Sequence, residues 1–455
     1  MKLDGTRIAV AGMAKSGISV GFAAKELGAA VTVFDEKPAD HPSILPAVDT
    51  LNAAGVVAAP GWHGHLSDED FDMLVLSPGV PMNHPCVADM KEREVIGEIE
   101  FAYRITSDPI LAITGTNGKS TTTVLTWLLL RAAGVDAVLC GNIAGSGYDE
   151  LTLTDASMQS VDVLVAEVSS FQLEFVQRFR PRVAAITNIT PDHLERHASF
   201  AEYESCKYRL LEKMSASDVV IVNLDERTVD PDRIPPAPRK IKFAPDGFGA
   251  TSGVTARAGD RLFLSGDDIA IASLPLLGDH NLANAMMAWE MADAFLKEPS
   301  SDQHDAMLSA LLKFTGLANR MELVRERGGV KFVNNSVCTN PEAIIASCRG
   351  IDGPQRLLIG GKRKNLDFAP LGEFLATSGN PAYIFGPEAD ELSAQMGAAL
   401  STFEDLPKAF AAAASDASDG DFVVLSPGCA SAEPYANFKE RGDDFRRLVE
   451  EWIAQ

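Results

Sequence analysis

Short apolar segments rich in β-branched residues recur along the whole chain, and no other feature limits its possible folds as strongly. Each segment is bounded by glycine or polar turn residues, and longer stretches with helical periodicity separate them. The clearest segments read RIAVAG, AVTVFD, MLVLSPG, ILAITG, VDVLVAE, VAAITNI, DVVIVNLD, RLLIGG and FVVLSPG. Strands that alternate with helices predict parallel sheets joined by crossover helices. We therefore expect an α/β protein.

The pattern of strands restarts twice, which indicates where the chain divides. Its 455 residues allow about two to four domains of ordinary size. We place boundaries near Asp108, before ILAITG, and near Phe314, before TGLANR. The expected domains are therefore residues 1–107, 108–313 and 314–455. The proline-rich stretch at 229–240 lies between strand signals and predicts a surface loop.

The charge of the chain excludes some classes of partner. With 63 acidic and 40 basic side chains, the formal net charge is -23, so we expect no nucleic-acid binding through a broad basic surface. The 6 cysteines form no CxxC pair, and the N-terminus lacks the pattern of a signal peptide. The apolar runs are shorter than the roughly 18 residues of a membrane span. These features predict a reduced, cytoplasmic protein without a membrane role.

The segment AITGTNGKSTTT predicts a phosphate-binding loop. Gly115 and Gly118 allow a tight turn, so that backbone amides and the start of the next helix face an anion. Lys119 adds a positive charge, Ser120 stands where nucleotide loops place the hydroxyl that holds Mg²⁺, and Thr121 is a further donor. The spacing departs from GxxxxGK[ST]. An ordinary strand-to-helix turn is the alternative, but it does not require the lysine and the hydroxyls together.

Polar residues at the next strand ends add to this interpretation. Glu167 follows an apolar strand, where an open α/β sheet presents a carboxylate oxygen to Mg²⁺. The alternative for Glu167 is a helix-capping acid. His193 follows another strand beside Asp192, and His197 comes four residues later in sequence. A histidine pair at this spacing can suggest zinc, but HExxH and cysteine ligands are absent from the sequence.

The first segments of the chain resemble a dinucleotide-binding unit. A strand, a glycine turn, a helix and a second strand follow one another and end at Asp35. This order alone favours NAD. Gly12 and Gly17 frame a GxxxxG turn, however, and not GxGxxG, so the dehydrogenase interpretation loses its main support.

Taken together, the motifs resemble the Mur ligase family, the ATP-dependent amide ligases of peptidoglycan precursor synthesis, which are also similar to folylpolyglutamate synthetases. Several motifs in order are far more specific than any one of them. The form of EVSSFQLE and the terminal NFKERG most resemble the branch that adds D-glutamate. The motifs are TGTNGKSTT, GNIAG, EVSSFQLE, NITPDHLERH, GDHNLANAMMA, FTGLANRMELV and SPGCASAEPYANFKERG.

The resemblance implies three domains: an N-terminal Rossmann-like domain for the UDP group, a central P-loop-type ATP domain and a C-terminal Rossmann-like domain that closes over the site. It implies a monomer that uses ATP and two Mg²⁺ ions to join glutamate to UDP-N-acetylmuramoyl-L-alanine. In this reaction ATP converts the alanine carboxylate into an acyl phosphate, which the glutamate amine then attacks.

The resemblance also assigns residues to roles. Lys119, His193 and Lys207 are the expected catalytic residues, and a carbamylated Lys207 is an expected metal ligand together with Ser120, Glu167 and His193. The expected ATP contacts are Gly115, Thr116, Asn117, Gly118, Lys119, Ser120, Thr121, Asn284, Arg320 and Asn335. The expected substrate contacts are Ser16, Asp35, Ser77 and Asn142 for the UDP-linked substrate, and Thr339, Lys364, Ser431 and Phe438 for the amino acid.

Two positions depart from the family pattern. The family motif NDSKATN reads NNSVCTN here, with Asn335 in the aspartate position and Val337 in the lysine position. A valine cannot pair with a carboxylate, although Lys362 and Arg363 add positive charge before Lys364. Three alternatives therefore stay open: a Mur-type ligase for another amino acid, a folylpolyglutamate synthetase, or an ATP-binding regulatory module that does not ligate. The UDP-like first domain disfavours the folate alternative.

Overall fold

The computed structural model describes residues 3–454, apart from 68, 91, 144–146, 149, 194–195, 224–226, 244–254, 265–266, 277, 364–365 and 398–399. Within these residues the strands form three large sheets and one small sheet. Every strand segment quoted from the sequence is a strand in the structure. The prediction of an α/β fold is therefore confirmed. None of the helices in this part of the chain has the length and apolar character that a membrane span requires.

The first large sheet is parallel, with the strand order β3-β2-β1-β4-β5. Its elements are β1 (Arg7–Ala11), α1 (Lys15–Glu26), β2 (Ala30–Asp35), α2 (Leu45–Ala53), β3 (Val57–Pro60), β4 (Met73–Leu76), α3 (Pro85–Asp89), β5 (Glu94–Gly97) and α4 (Glu98–Ile105). Alternate side chains of β1 enter two different apolar clusters, because successive residues of a strand point to opposite faces. Both faces of this sheet are therefore covered.

The second large sheet is also parallel, in the order β11-β10-β9-β6-β8-β7. Its elements are β6 (Ile110–Thr114), α5 (Lys119–Ala132), β7 (Ala137–Gly141), α6 (Leu153–Ser157), β8 (Val163–Glu167), α7 (Ser170–Leu173), β9 (Val183–Ile186), α8 (Phe200–Tyr208), β10 (Val219–Asn223) and β11 (Arg239–Phe243). Central strand β6 is fully buried, and its side chains alternate between two apolar clusters. The proline-rich stretch holds a short 3₁₀ helix, Pro231–Arg233, and runs into β11 at Arg239.

A small antiparallel sheet and two long helices follow. The sheet contains β12 (Ala256–Ala258), β13 (Arg261–Leu264) and β14 (Asp267–Ala270), and the helices are α9 (Asp279–Leu296) and α10 (Ser301–Lys313). Two further 3₁₀ helices are Arg209–Leu211 and Ile271–Ser273. Most side chains of α9 are buried on all sides, as expected for a helix that packs inside a core and not on a surface. Helix α9 packs mainly against α5.

The third large sheet has the order β15-β16-β20-β17-β18-β19. Its elements are β15 (Glu322–Arg327), β16 (Val330–Asn334), α11 (Pro341–Arg349), β17 (Gln355–Gly360), α12 (Ala369–Ser378), β18 (Ala382–Phe385), α13 (Ala389–Gln395), β19 (Ser401–Phe403), α14 (Leu406–Asp416), β20 (Phe422–Leu425) and α15 (Phe438–Ala454). Among the described strand pairs of this third sheet, only β15–β16 is antiparallel. Its turn has positive φ at Gly328 and Gly329, the backbone that a two-residue hairpin favours.

A buried carboxylate links the first two sheets. Glu100 of α4 is fully buried and accepts hydrogen bonds from the backbone N–H groups of Gln177, Arg178 and Phe179 at 2.9–3.0 Å. Charge-assisted bonds of this kind are the strong ones in proteins. The large sheets use residues 7–97, 110–243 and 322–425, and the domain boundaries near Asp108 and Phe314 stay predictions.

Candidate active site

A cavity of about 780 Å³ is lined by residues of the second and third large sheets and of helix α9. Its walls come from segments that are far apart in the sequence. Many of the residues singled out from the sequence line it together: Gly115, Thr116, Asn117, Gly118, Lys119, Ser120, Thr121, Asn142, Glu167, His193, Lys207, Asn284, Arg320, Asn335, Thr339 and Phe438. A cavity of this size is in the usual range for a small-molecule site.

The glycine loop between β6 and α5 forms one wall of the cavity. Gly115 has a φ of 148° and Gly118 a φ of 82°, and both values favour glycine. A Cβ at Gly118 would lie 2.4 Å from the Asn284 side chain, and one at Gly115 would lie 1.8 Å from the Thr187 hydroxyl. Lys119 begins α5, and its Nζ donates to the Gly115 carbonyl at 3.0 Å. The loop and the helix start therefore form a compact cradle of the type that binds anions.

Two of the expected metal ligands touch each other beside this loop. Ser120 Oγ donates a hydrogen bond to Glu167 Oε2 at 2.5 Å, and Asn142 Nδ2 donates to Glu167 Oε1 at 3.3 Å. Glu167 ends β8 and is 3% exposed. A hydroxyl and a carboxylate side by side offer the hard oxygen atoms that Mg²⁺ prefers. The residues at this position therefore fit a magnesium ion.

Lys207 lies inside the protein and not on the surface. It is 2% exposed on α8, and its Nζ donates to the Gly115 carbonyl at 2.7 Å and lies 4.4 Å from the centre of the Tyr203 ring. Burial lowers the pKa of Lys207 well below its ordinary value, and the nearby charge of Lys119 lowers this pKa further. The lowered pKa favours the uncharged form of this amine. Lys207 is therefore not an ordinary surface lysine on a helix.

His193 has an unusual backbone conformation beside the same wall. Its φ is 54°, and the imidazole packs edge-on against the Phe171 ring with the centroids 4.9 Å apart. The ring nitrogen Nε2 lies 3.7 Å from Asp192 Oδ2. Non-glycine residues with positive φ are uncommon and concentrate at functional sites. No cluster of three or more His, Cys, Asp or Glu side chains suited to a metal occurs in the described residues.

Arg320, just before β15, and Asn335, just after β16, also line the cavity. Arg320 stands between Asn319 and Met321, which have φ values of 62° and 50°. Burial lowers the pKa of Arg320, whereas the nearby Glu167 raises it. Asn335 Nδ2 donates to Ser347 Oγ and Ser426 Oγ at 3.0 and 3.1 Å. Both N–H groups of Asn335 are thus used within the protein, and its Oδ1 accepts the Met321 N–H at 3.3 Å, which leaves one lone pair for a ligand.

The residues expected to bind the amino acid are only partly brought together. Thr339 and Phe438 line the cavity, and so does Val337. Ser431 is not part of the lining, and its Oγ is buried without a hydrogen-bond partner among the described residues. Lys364 lies outside the described residues. Arg363, which adds positive charge in the sequence, forms an ion pair with Glu388 at 2.9 Å.

Ser16, Asp35 and Ser77 lie elsewhere, at the carboxyl edge of the first sheet. Asp35 Oδ2 accepts the Met13 N–H at 2.9 Å, and Ser77 Oγ donates to the Gly12 carbonyl at 3.1 Å. Ser16 lies in the first turn of α1. The strand order changes direction between β1 and β4, which is where open α/β sheets bind ligands. These residues therefore mark a second candidate site.

The sequence did not single out Thr190 and Glu342, and it noted His280 only near a helix start. All three line the cavity, and each has a buried polar atom, Oγ1, Oε2 and Nδ1 respectively, that has no hydrogen-bond partner in the described part of the chain. Burial lowers the pKa of His280 to about 4. Buried polar atoms in native proteins are nearly always paired, so these atoms fit a cavity that is completed by a polar ligand. Their role depends on tertiary contacts that no sequence pattern shows.

Comparisons with known proteins agree with this geometry. Residues 113–292 match the Mur ligase middle domain, and residues 319–429 match the family described as Mur ligase, glutamate ligase domain. The UDP-N-acetylmuramoylalanine–D-glutamate ligase of Acidobacterium capsulatum is 34% identical over 459 residues, 99% of this chain and 97% of that protein. The enzyme of the same name from Myxococcus xanthus is 36% identical over 468 residues, 99% of each chain.

A solved structure supports the fold independently. The MurF ligase from Thermotoga maritima, in complex with ADP, aligns with 99% of this chain and 96% of its own, at a TM-score of 0.56 and 17% sequence identity. At this identity the likeness concerns the fold alone.

Proposed function

The chain belongs to the Mur ligase family, and we propose that it joins D-glutamate to UDP-N-acetylmuramoyl-L-alanine with the consumption of ATP. Members of this family are ADP-forming amide ligases. The observation that carries the proposal is the hydrogen bond between Ser120 and Glu167 beside the glycine loop, in a cavity that Arg320 and Thr339 also line. The product is a precursor of peptidoglycan.

The chemistry explains why such a cavity needs a nucleotide. A carboxylate is a poor electrophile, so the alanine carboxylate oxygen attacks the γ-phosphorus of ATP, which forms an acyl phosphate and releases ADP. The glutamate amine then attacks the acyl carbon, loses a proton and displaces phosphate. Both anions in the first step are negative, and fixed positive groups must offset their repulsion. Lys119 and Arg320 both line the cavity and are proposed for this task.

The contact between Ser120 and Glu167 supports their role as magnesium ligands in this proposal. We place one ion on Ser120 and Glu167, and a second on His193 and a carbamylated Lys207. When bound, these ions neutralise charge between the phosphate oxygens and the attacking carboxylate. The loop residues Gly115 to Thr121 hold the triphosphate, and Asn284 contacts the adenine from the start of α9.

The burial of Lys207 and its lowered pKa favour carbamylation, because only the uncharged amine reacts with CO₂. The carbamate turns this side chain into an oxygen ligand. Lys207→Ala is expected to lose most activity, and short-chain carboxylic acids are expected to restore part of it where bicarbonate does not. Full activity of the variant in a phosphate-release assay would remove the carbamate from the proposal.

The first sheet is proposed to bind the UDP group at Ser16, Asp35 and Ser77, with Asn142 near the reacting end. We further propose that residues 1–107, 108–313 and 314–455 are separate domains, and that the third closes on the second to exclude water from the acyl phosphate. A monomer located in the cytoplasm completes the proposal.

The identity of the added amino acid is the part of the proposal that has a second candidate. Val337 lines the cavity at a position where the family pattern has a lysine, so an amino acid with a different side chain is the second candidate. We propose that Thr339, Lys364, Ser431 and Phe438 bind the glutamate, and that Asn335 contacts the nucleotide through its oxygen.

A panel of radiolabelled amino acids decides between these candidates. The protein is incubated with UDP-N-acetylmuramoyl-L-alanine, ATP and Mg²⁺, and label in the UDP-linked product is counted. We expect incorporation of D-glutamate and not of L-glutamate. Exclusive use of another amino acid would contradict the assignment, and phosphate release that needs neither acceptor nor amino acid would indicate a non-ligating ATP-binding module.

A further inference from the structure

Arg196 connects the first sheet to the segment that carries His193. Its Nη2 donates to the Val80 carbonyl at 2.9 Å and reaches the Pro78 carbonyl at 3.4 Å, while Nη1 donates to the Gly79 carbonyl at 3.2 Å. The arginine side chain is only 15% exposed. One guanidinium therefore binds three successive carbonyl groups of the loop that follows β4.

The same guanidinium also contacts Glu174 and Phe171, which follow β8 of the second sheet. Its Nε and Nη2 donate to the two carboxylate oxygens of Glu174 at 3.1 and 2.7 Å. Its carbon Cζ lies 5.0 Å from the centre of the Phe171 ring. Glu174 is buried. A two-point bond between arginine and a buried carboxylate fixes the orientation of the group as well as its position.

Each end of this connection belongs to one of the two candidate sites. Ser77 directly precedes the loop, and its Oγ donates to the Gly12 carbonyl in the second candidate site, at the carboxyl edge of the first sheet. Phe171 lines the cavity, and its ring packs against the imidazole of His193. Arg196 therefore links the two sites through a single side chain.

We propose that Arg196 is a positioning residue that couples binding of the UDP group to the placement of Phe171 and His193 at the reacting end. The inference rests on the proposed function. Contacts with remote, non-reacting parts of a substrate accelerate a reaction when their binding energy is used to position the reacting groups. In this chain the physical connection is the Arg196 guanidinium. Movement of the loop at 78–80 changes the hydrogen bonds of this guanidinium, which also contacts Phe171.

The test compares two acceptors in two proteins. Wild type and Arg196→Lys are assayed with UDP-N-acetylmuramoyl-L-alanine and with N-acetylmuramoyl-L-alanine, which lacks the UDP group. Lysine keeps the charge but cannot bond to the loop and to both oxygens of Glu174 at once. We expect wild type to prefer the UDP-linked acceptor in kcat/KM, and we expect the variant to lose about tenfold of that preference, within the usual range of coupling between sites.

Arg209→Lys is the matched control. Arg209 donates to the carbonyls of Leu173 and Glu174, in the same segment, and no bond from it to the first sheet is seen in the described residues. The preference for the UDP-linked acceptor is expected to stay at the wild-type value in this variant. An equal loss of kcat/KM on both acceptors in Arg196→Lys would mean a purely structural role and would overturn the proposal.

A second measurement uses wild-type protein alone and is independent of how the variant folds. Saturating UDP is expected to slow amide hydrogen exchange in the loop 77–80 and also in residues 170–174 and 196–203. Protection confined to the first sheet would overturn the coupling. A wild-type protein that ligates neither acceptor would contradict the proposed function instead, so the two failures can be told apart.

Discussion

The hydrogen bond between Ser120 and Glu167 joins side chains that are 47 positions apart in the sequence. The sequence pattern placed Glu167 at the end of a strand and Ser120 near the start of a helix. Open α/β sheets bind ligands at the carboxyl ends of their strands. The structure adds that they touch and that Glu167 is buried. Its two carboxylate oxygens contact a hydroxyl and an amide, and such oxygens are ligands that Mg²⁺ prefers.

Glu167→Gln tests this role directly. Glutamine keeps the shape and can still bond to Ser120, but it removes the negative charge. We expect kcat to fall by about 10²-fold or more, the usual loss when one electrostatic group of this kind is removed. Phosphate release is measured over a range of Mg²⁺ concentrations, with Glu212→Gln at an exposed position as the control. A variant with the wild-type rate and magnesium dependence would contradict the assignment.

His280 makes stability depend on pH. Its pKa is about 4 in the folded protein, against an ordinary value of 6.5, because burial disfavours the charged imidazole. The unfolded chain therefore takes up the proton first, and the free energy of unfolding falls as pH drops from 6.5 towards 4. The loss by pH 5 is about 2 kcal/mol. Urea unfolding of wild type and His280→Gln at neutral and mildly acidic pH measures it, and an unchanged pH dependence in the variant would contradict this account.

Asn335 and Val337, the two departures from the family motif, show which properties of a residue can be predicted from the sequence and which cannot. The sequence raised both as departures from the family motif, and both residues line the cavity. It could not show that the Asn335 amide bridges Ser347 and Ser426, because those partners come from a helix and a strand end elsewhere in the chain. Hydrogen-bond partners of this kind follow from tertiary packing.

At the scale of elements, helix α5 offers an internal comparison between its two ends. Gly118 precedes the helix and Gly134 follows it, with φ values of 82° and 84°. A Cβ at Gly118 would meet the Asn284 side chain at 2.4 Å, whereas a Cβ at Gly134 would meet no atom within 4 Å. Substitution of either glycine would strain the backbone in the same way. Only at Gly118 would the new Cβ also clash with another side chain.

We therefore expect the left-handed backbone to cost both Gly118→Ala and Gly134→Ala about 1 kcal/mol of stability. Gly118→Ala is expected to lose more, because of its clash with Asn284. Only Gly118→Ala is expected to weaken ATP binding, by about tenfold or more, because it displaces the loop and Asn284. Thermal unfolding and ATP titration measure the two effects. Equal ATP affinity in both variants would contradict the placement of the nucleotide at this helix end.

The sequence predicted the elements with long β-branched runs and missed those that depend on pairing. The central strands β6, β8 and β20 are fully buried, so their apolar runs are continuous and recognisable. Strand β3 reads VAAP at a sheet edge and β19 has three residues, so neither has a distinctive pattern. The antiparallel sheet of β12 to β14 was also not foreseen, since its short strands gain their stability from one another.

At the scale of the whole molecule, contacts between the second and third large sheets hold the cavity together. Lys439 forms an ion pair with Glu150 at 3.2 Å, and Asn340 donates to Asp192 at 3.5 Å. Near these contacts Gly350 and Gly278 approach so closely that a Cβ at Gly350 would lie 2.6 Å from the Gly278 Cα. The arrangement therefore brings residues from both sheets within reach of one ligand.

Exchange of the Lys439 and Glu150 charges tests the contribution of this contact. Lys439→Glu and Glu150→Lys are each expected to raise KM for ATP about twofold at low salt, and the double exchange is expected to recover most of the loss. Both side chains are partly exposed, so the effect is small and should fade at high salt. Additive losses in the double variant would show that the ion pair has no part in holding the two walls together.

The central claim is that the cavity lets ATP activate a carboxylate, and isotope transfer tests it most directly. UDP-N-acetylmuramoyl-L-alanine is labelled with oxygen-18 in its carboxyl group and turned over with ATP, Mg²⁺ and D-glutamate. The account predicts one labelled oxygen in each released phosphate, since that oxygen bridges carbon and phosphorus in the acyl phosphate. Phosphate that stays free of the label while amide product accumulates would contradict it.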